Sequence, residues 1–192
     1  MLFEFNSPIN SPFVIVDNEI SNDVSDKYDP STWYYEQADI VCMGVLVGDK
    51  IKIFFREKQE DIDLFKKQIK EELDKYETIY AFNRSMEFGN FKGFLGKEYN
   101  VEEIKAFKGS GWNKQKFFEV LIADGKIEPS LIPKDPLEKN SEKCISCYAE
   151  EDYETIITHN KADLIKQAIL MKNKDYLLKK FEARINKNGW IR

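Results

Sequence analysis

The chain is poor in the two side chains that most often signal metal or redox chemistry. Its 192 residues include three cysteines and one histidine. An odd number of cysteines without framework spacing argues against a disulfide scaffold and fits a reducing cytoplasm. Cys144-Ile145-Ser146-Cys147 has the spacing of a zinc or redox pair, but no second pair accompanies it and the only histidine is His159. A zinc or redox centre is therefore not expected there. Long apolar runs are missing as well. The longest, Ile40 to Val47, falls far short of the ~20 residues that span a bilayer. The opening Met1-Leu2-Phe3-Glu4-Phe5-Asn6-Ser7-Pro8 has no basic segment leading into an apolar one. No secretory signal is read, and a cytoplasmic location is expected. The sequence has no internal repeat and no low-complexity segment.

What is present describes a globular chain. Hydrophobic residues at 42% and charged residues at 33% exclude a disordered class. A single domain is expected over residues 1–192, with a core at about 13–171 and a basic C-terminal helix over 172–192. The net charge of −5 argues against nucleic acid, but it is unevenly spread. From Thr155 onward nine Lys/Arg face three acids, a net of +6 that leaves −11 for the first 154 residues. A basic helical end on an acidic body can supply phosphate contacts while the body holds metal. A solvated Lys-rich helix explains the same tail.

The most informative stretch is Phe13-Val14-Ile15-Val16-Asp17-Asn18-Glu19-Ile20. Continuous apolar, β-branched character predicts a strand buried on both faces. Residues two apart on a strand share a face, so Asp17 and Glu19 project together and repel unless a cation sits between them. A hard divalent ion suits such oxygens. A strand running into a solvated polar turn is the other reading.

Around this strand the pattern is mixed. Asn6-Ser7-Pro8 and Asn10-Ser11-Pro12 read as turns. Residues 40–47 form a second buried strand, and Gly48-Asp49 turns into a third over 50–55. Apolar residues Ile62, Phe65, Ile69 and Leu73 predict a helix over 61–76. Strands are expected at 78–82 and 104–107. Helices are expected from Ser85, over 114–123, 150–171 and 174–187, with a loop at 125–142. The fold class is α/β, with a mixed central sheet of about five strands flanked by helices.

On the helix that carries the lone histidine, Tyr153, Ile157, Leu164, Ala168 and Met171 form the apolar stripe. His159 and Asp163, four apart, share a face away from it and are not expected in the core. They form either a surface pair or an acid–base or ligand pair over a cleft, where histidine can take a proton near neutral pH.

Taken in order, these features resemble the DEDD superfamily of 3′–5′ exonucleases, and within it a branch of predicted bacterial and archaeal ribonuclease H-like exonucleases. The resemblance runs from about Val14 to Met171, loosely over 97–150. Asp17 and Glu19 match the first motif, an apolar strand ending in Asp-x-Glu. Asn83-Arg84-Ser85-Met86-Glu87 resembles the second, an Asn followed by Phe-Asp, with Met86 and Glu87 in place of that pair. His159-Asn160-Lys161-Ala162-Asp163-Leu164 matches the third and is the most specific. The resemblance implies a ribonuclease H-like fold and two Mg²⁺ or Mn²⁺ ions held by Asp17, Glu19, Glu87 and Asp163, with His159 as proton acceptor. It also implies a single-stranded DNA or RNA 3′ end as substrate. Lys161 and Lys166 would guide the backbone, and Trp33, Tyr34, Tyr35 and Trp112 are candidates for base stacking. Glu87 keeps the charge of the family's aspartate but adds a methylene. Weak activity, Mn²⁺ preference and loss of turnover all stay open, as does a non-catalytic nucleic-acid-binding domain of the same fold.

Overall fold

Burial alternates residue by residue along the N-terminal segment, and this periodicity of two builds one long strand, β1 (Leu2–Ile20). The computed structural model describes residues 1–22, 34–58, 60–104, 114–138, 140 and 142–187. The turns expected at Asn6-Ser7-Pro8 and Asn10-Ser11-Pro12 are not turns. Their residues are absorbed as register shifts between Asn6 and Ser11 and between Ser11 and Ile15. Ser7 Oγ accepts from Ile9 N at 3.0 Å and donates to Ile9 O at 2.8 Å, and Ser11 treats Phe13 in the same way. These local loops bulge the strand where the prolines offer no N–H to a ladder.

β2 (Ile40–Phe55) runs antiparallel to β1, from Leu2 opposite Phe54 to Ile20 opposite Ile40. The two segments expected over 40–47 and 50–55 are therefore one strand. The first half of β1 gives residues 50–54 a partner, so Gly48, at φ 60°, makes a bulge opposite Ser11 rather than a hairpin turn. β3 (Ile79–Ala81) lies parallel to β1, and β4 (Val101–Glu103) parallel to β3. The order is β2-β1-β3-β4, four strands among the described residues where about five were expected. The strand read at 104–107 is displaced to 101–103, and its residues 105–107 lie outside the described residues.

Among the described residues six α-helices complete this mixed α/β architecture: α1 (Ile62–Leu73), α2 (Arg84–Asn90), α3 (Lys114–Ala123), α4 (Lys143–Ala149), α5 (Tyr153–Lys172) and α6 (Lys174–Lys187). Asp61 caps α1 by accepting from Asp63 N and Leu64 N. A π-helical turn, Phe91–Leu95, follows α2. Val16, Met43 and Val45 face Phe65, Ile69 and Leu73 of α1 and Phe91 on one side of the sheet. Ile15, Cys42 and Leu46 face Leu121 of α3 and Leu164, Ile165 and Ala168 of α5 on the other. Each such fully buried side chain contributes about 1.5–3 kcal/mol of transfer free energy. β1 is thus covered on both faces, as its composition predicts.

The face of α5 that carries His159 and Asp163 is not at the surface edge of the core as expected. His159 and Asp163 are buried, because α5 packs on the sheet on one side and meets Asp135, Leu137 and α4 on another rather than being half-exposed. Gly44 permits this close approach: a Cβ there would collide with Asn160 Oδ1 and Leu164 Cδ1. Among the described residues no helix is long and apolar enough to cross a membrane. Trp33 and Trp112, and the side chains of Tyr34 and Tyr35, lie outside the described residues.

Candidate functional site

Asp17 and Glu19 leave β1 on the face toward α5, as strand geometry requires. Asn18 points the other way and accepts from Asn90 Nδ2 of α2 at 2.8 Å. α5 reaches the two carboxylates with neutral amides. Asn160 Nδ2 contacts Asp17 O and Oδ2 at 3.1 Å each and Glu19 Oε1 at 3.3 Å. Gln167 Nε2 donates to Asp17 Oδ1 at 2.6 Å while its Oε1 accepts from Phe82 N at 3.2 Å, just past β3. One helix therefore fixes the carboxylates of β1 and the end of β3 together.

His159 sits one helix turn before Asp163 and is 1% exposed. Its Nδ1 lies 2.7 Å from Asp135 Oδ1, and its Nε2 lies 3.7 Å from Glu19 Oε1. Asp135 accepts a second bond from Lys166 Nζ at 2.6 Å, and the same ammonium donates to Asp163 Oδ1 at 3.1 Å. Burial pushes the Asp135 carboxyl up, but the hydrogen bonds from Lys166 and His159 outweigh it and hold it down at about 2. With Asp135 ionised, Nδ1–H is its natural donor, and Nε2 is the ring nitrogen turned toward Glu19.

Glu19 is held differently. Burial, and then the charges of Asp17 and Asp163, push its carboxyl well above the usual range, against hydrogen bonds from Cys144 and Asn160. Cys144 Sγ donates to Glu19 Oε2 at 3.3 Å. Burial and the Glu19 charge keep that thiol protonated far above the usual cysteine range.

Asp17, Glu19, His159 and Asp163 thus share one buried neighbourhood. Glu87 is buried on α2, whose first turn closes as Met86 N and Glu87 N donate to Asn83 O at 3.1 and 3.2 Å. Among the described residues, two sets of ligand atoms lie within 4.8 Å of one another: Glu19, Cys144 and His159, and Asp135, His159 and Asp163. Neither set contains Asp17 or Glu87. Lys166, expected to guide the phosphate backbone, is buried, its ammonium held by two carboxylates. Asp135 and Gln167 escaped the sequence reading. The only signal for Asp135 was an acid held between Pro133 and Pro136 in a loop. The donor set fits a hard divalent cation: several carboxylate oxygens, one imidazole nitrogen, and a buried Glu19 whose hydrogen-bond donors, Cys144 and Asn160, are neutral.

The fold this arrangement defines is a mixed α/β sheet with helices on both faces and acidic residues gathered where β1 meets α5. No family model matches the chain, and no curated protein does. Among solved structures it is similar to a family B DNA polymerase from the hyperthermophilic archaeon Pyrobaculum calidifontis, with a TM-score of 0.51 and 14% identity. The likeness covers 90% of this chain and 25% of the polymerase, and it bears on fold alone.

Proposed function

We propose that this chain is a metal-dependent 3′–5′ exonuclease of ribonuclease H-like fold that hydrolyses phosphodiester bonds at single-stranded nucleic-acid ends. The observation that carries the reading is α5, which gathers Asp17 and Glu19 through Asn160 and Gln167 and contributes His159 and Asp163 itself. Asp17, Glu19, Asp163 and, by the sequence resemblance, Glu87 would hold two Mg²⁺ or Mn²⁺ ions. Such ions lower the pKa of an attacking water and neutralise charge on the leaving 3′ oxygen. The chain's own residues do the rest. Asn160 and Gln167 fix the carboxylate orientations, and His159 takes the proton of the water at Nε2 while Asp135 holds Nδ1. The basic C-terminal segment offers phosphate contacts. The likeness to a domain-sized quarter of a DNA polymerase is consistent with work on nucleic acid.

One observation favours a second reading, a nucleic-acid-binding domain that does not cleave. Lys166 already supplies a positive charge to Asp163 and Asp135. The two readings separate on 5′-labelled single-stranded DNA and RNA incubated with Mg²⁺ or Mn²⁺, wild type beside Asp17→Asn. The exonuclease gives a metal-dependent ladder shortening from the 3′ end that disappears in the variant. Binding without shortening, unchanged by the substitution, selects the second reading.

A further inference from the structure

One buried nucleophile has no part in this chemistry. Cys144, on α4, is 1% exposed and points not at Cys147, its partner in sequence spacing, but at Glu19. We infer that Glu19, Cys144 and His159 form a site for a borderline-soft divalent ion of the zinc class, overlapping the carboxylate cluster at Glu19. The three ligand atoms come from β1, α4 and α5 and lie within 4.8 Å of one another. Zinc–ligand bonds of about 2.0–2.3 Å in a tetrahedron put ligands about 3.3–3.8 Å apart. Cys144 Sγ lies 3.3 Å from Glu19 Oε2, and His159 Nε2 lies 3.7 Å from Glu19 Oε1. Each distance matches a tetrahedral edge in length, and the two reach different oxygens of the same Glu19 carboxylate.

The surroundings complete the case. Ligating histidines commonly give their other ring N–H to a carboxylate, which fixes the tautomer and raises basicity. Asp135 does this for His159 at 2.7 Å, and Lys166 anchors Asp135 in turn. Asn160 Nδ2 steadies Glu19 Oε1 at 3.3 Å. On binding, the Cys144 thiol proton leaves to solvent and the sulfur it vacates ligates the ion. Thiolate, carboxylate and dication then sum to zero charge, which relieves the repulsion of Glu19 by Asp17 and Asp163. Sulfur and imidazole favour zinc or cobalt over magnesium. The site stands on its geometry whether or not the chain cleaves nucleic acid. If it does cleave, a zinc-class ion competes with the hard ions for Glu19 and inhibits.

Cobalt(II) is the probe, titrated into the reduced full-length chain, wild type beside Cys144→Ser and Cys147→Ser. The expected result is a sulfur-to-cobalt charge-transfer absorption saturating at one ion per chain and displaced by Zn²⁺. It should be lost in Cys144→Ser and kept in Cys147→Ser. Absence of the band in the wild type, its survival in Cys144→Ser, or its loss in a folded Cys147→Ser overturns the inference. X-ray absorption on the zinc-loaded wild type decides independently of any variant's folding. One sulfur with nitrogen and oxygen neighbours supports the site; two sulfurs or none contradict it.

Discussion

Two buried glutamates in this molecule have opposite surroundings. Glu72, on the inner face of α1, is 3% exposed and receives Lys52 Nζ at 2.9 Å, Lys75 Nζ at 2.7 Å and the Tyr76 hydroxyl at 2.7 Å. Burial raises its carboxyl pKa, but these three donors more than reverse the effect, and it lies below its ordinary value. Glu19 is as deeply buried, yet its hydrogen bonds come from the neutral Cys144 and Asn160, with Asp17 and Asp163 as its charged neighbours. The first glutamate is supplied with cations by the turn that follows its own helix and by β2. The second has only neutral hydrogen-bond donors and like-charged acids around it, the setting that the proposed cation would complete. A carboxylate that serves stability is neutralised from within, whereas one that serves a ligand is left short of charge.

The largest expected effect tests the ligand side of this contrast. Removing even a residue behind a metal ligand typically costs 10–100-fold, so Glu19→Gln should lower metal-dependent cleavage by more than about 100-fold. Single-turnover release of nucleotide measures it. The same substitution should leave metal-free stability unchanged or raised, because it deletes repulsion rather than attraction. A clear loss of metal-free stability would erase the distinction from Glu72.

Next comes the close approach that brings the acids together. Gly44→Ala inserts a methyl where Asn160 and Leu164 already sit and should cost about 1–3 kcal/mol as α5 is pushed off β2. Urea unfolding gives the cost. Mn²⁺ affinity should fall with it, since Asn160 holds both carboxylates.

Glu72→Gln should destabilise the chain by about 1–3 kcal/mol, through weakened charge-assisted bonds to Lys52 and Lys75. Its signature is the pH dependence. A carboxyl depressed in the folded state binds fewer protons there than when unfolded, so stability rises with pH across the window between the two values. The Glu72 contribution should be complete above its ordinary value of 4.5 and fade as pH falls through its lower folded value. The stability gap between wild type and Glu72→Gln should therefore narrow on acidification. For Glu19 the sign reverses: its carboxyl is raised in the folded state, so metal-free stability falls as pH climbs from 4.5 toward the folded value. Wild type and Glu19→Gln should diverge across that window, the variant gaining.

The smallest effect is at the periphery. Lys58 and Glu151 pair at 3.4 Å with both side chains exposed, and Lys58→Ala should change stability by no more than about 1 kcal/mol in thermal melts.

These contrasts also show what the sequence could and could not reveal. The β-branched run ending in Asp17 and Glu19 placed a central strand, and the apolar periodicity of α1 placed a helix. Both signals are local. The first half of β1 was misread because Pro8 and Pro12 mark turns in isolation, whereas a facing strand turns them into bulges. The burial of His159 escaped for a related reason: the side of α5 away from the sheet is covered by Asp135 and α4, which precede it in the chain, and periodicity on one helix cannot register that cover. Asp135 meets His159 from 24 residues away, and Cys144 meets Glu19 from 125 away. Such contacts are properties of the packed chain. Lys166 is the sharpest case, since a lysine beside a basic tail reads as a phosphate contact until two carboxylates are found to enclose it.

The most direct measurement is Mn²⁺ binding by the chelator-treated full-length chain, followed by loss of the free-ion electron paramagnetic resonance signal. Wild type should remove two ions per chain from solution, while Asp17→Asn and Glu19→Gln should bind fewer and Glu72→Gln the same number. If wild type leaves the free-ion signal unchanged, or if Asp17→Asn and Glu19→Gln bind as it does, the buried carboxylates are not a cation site and the contrast with Glu72 fails.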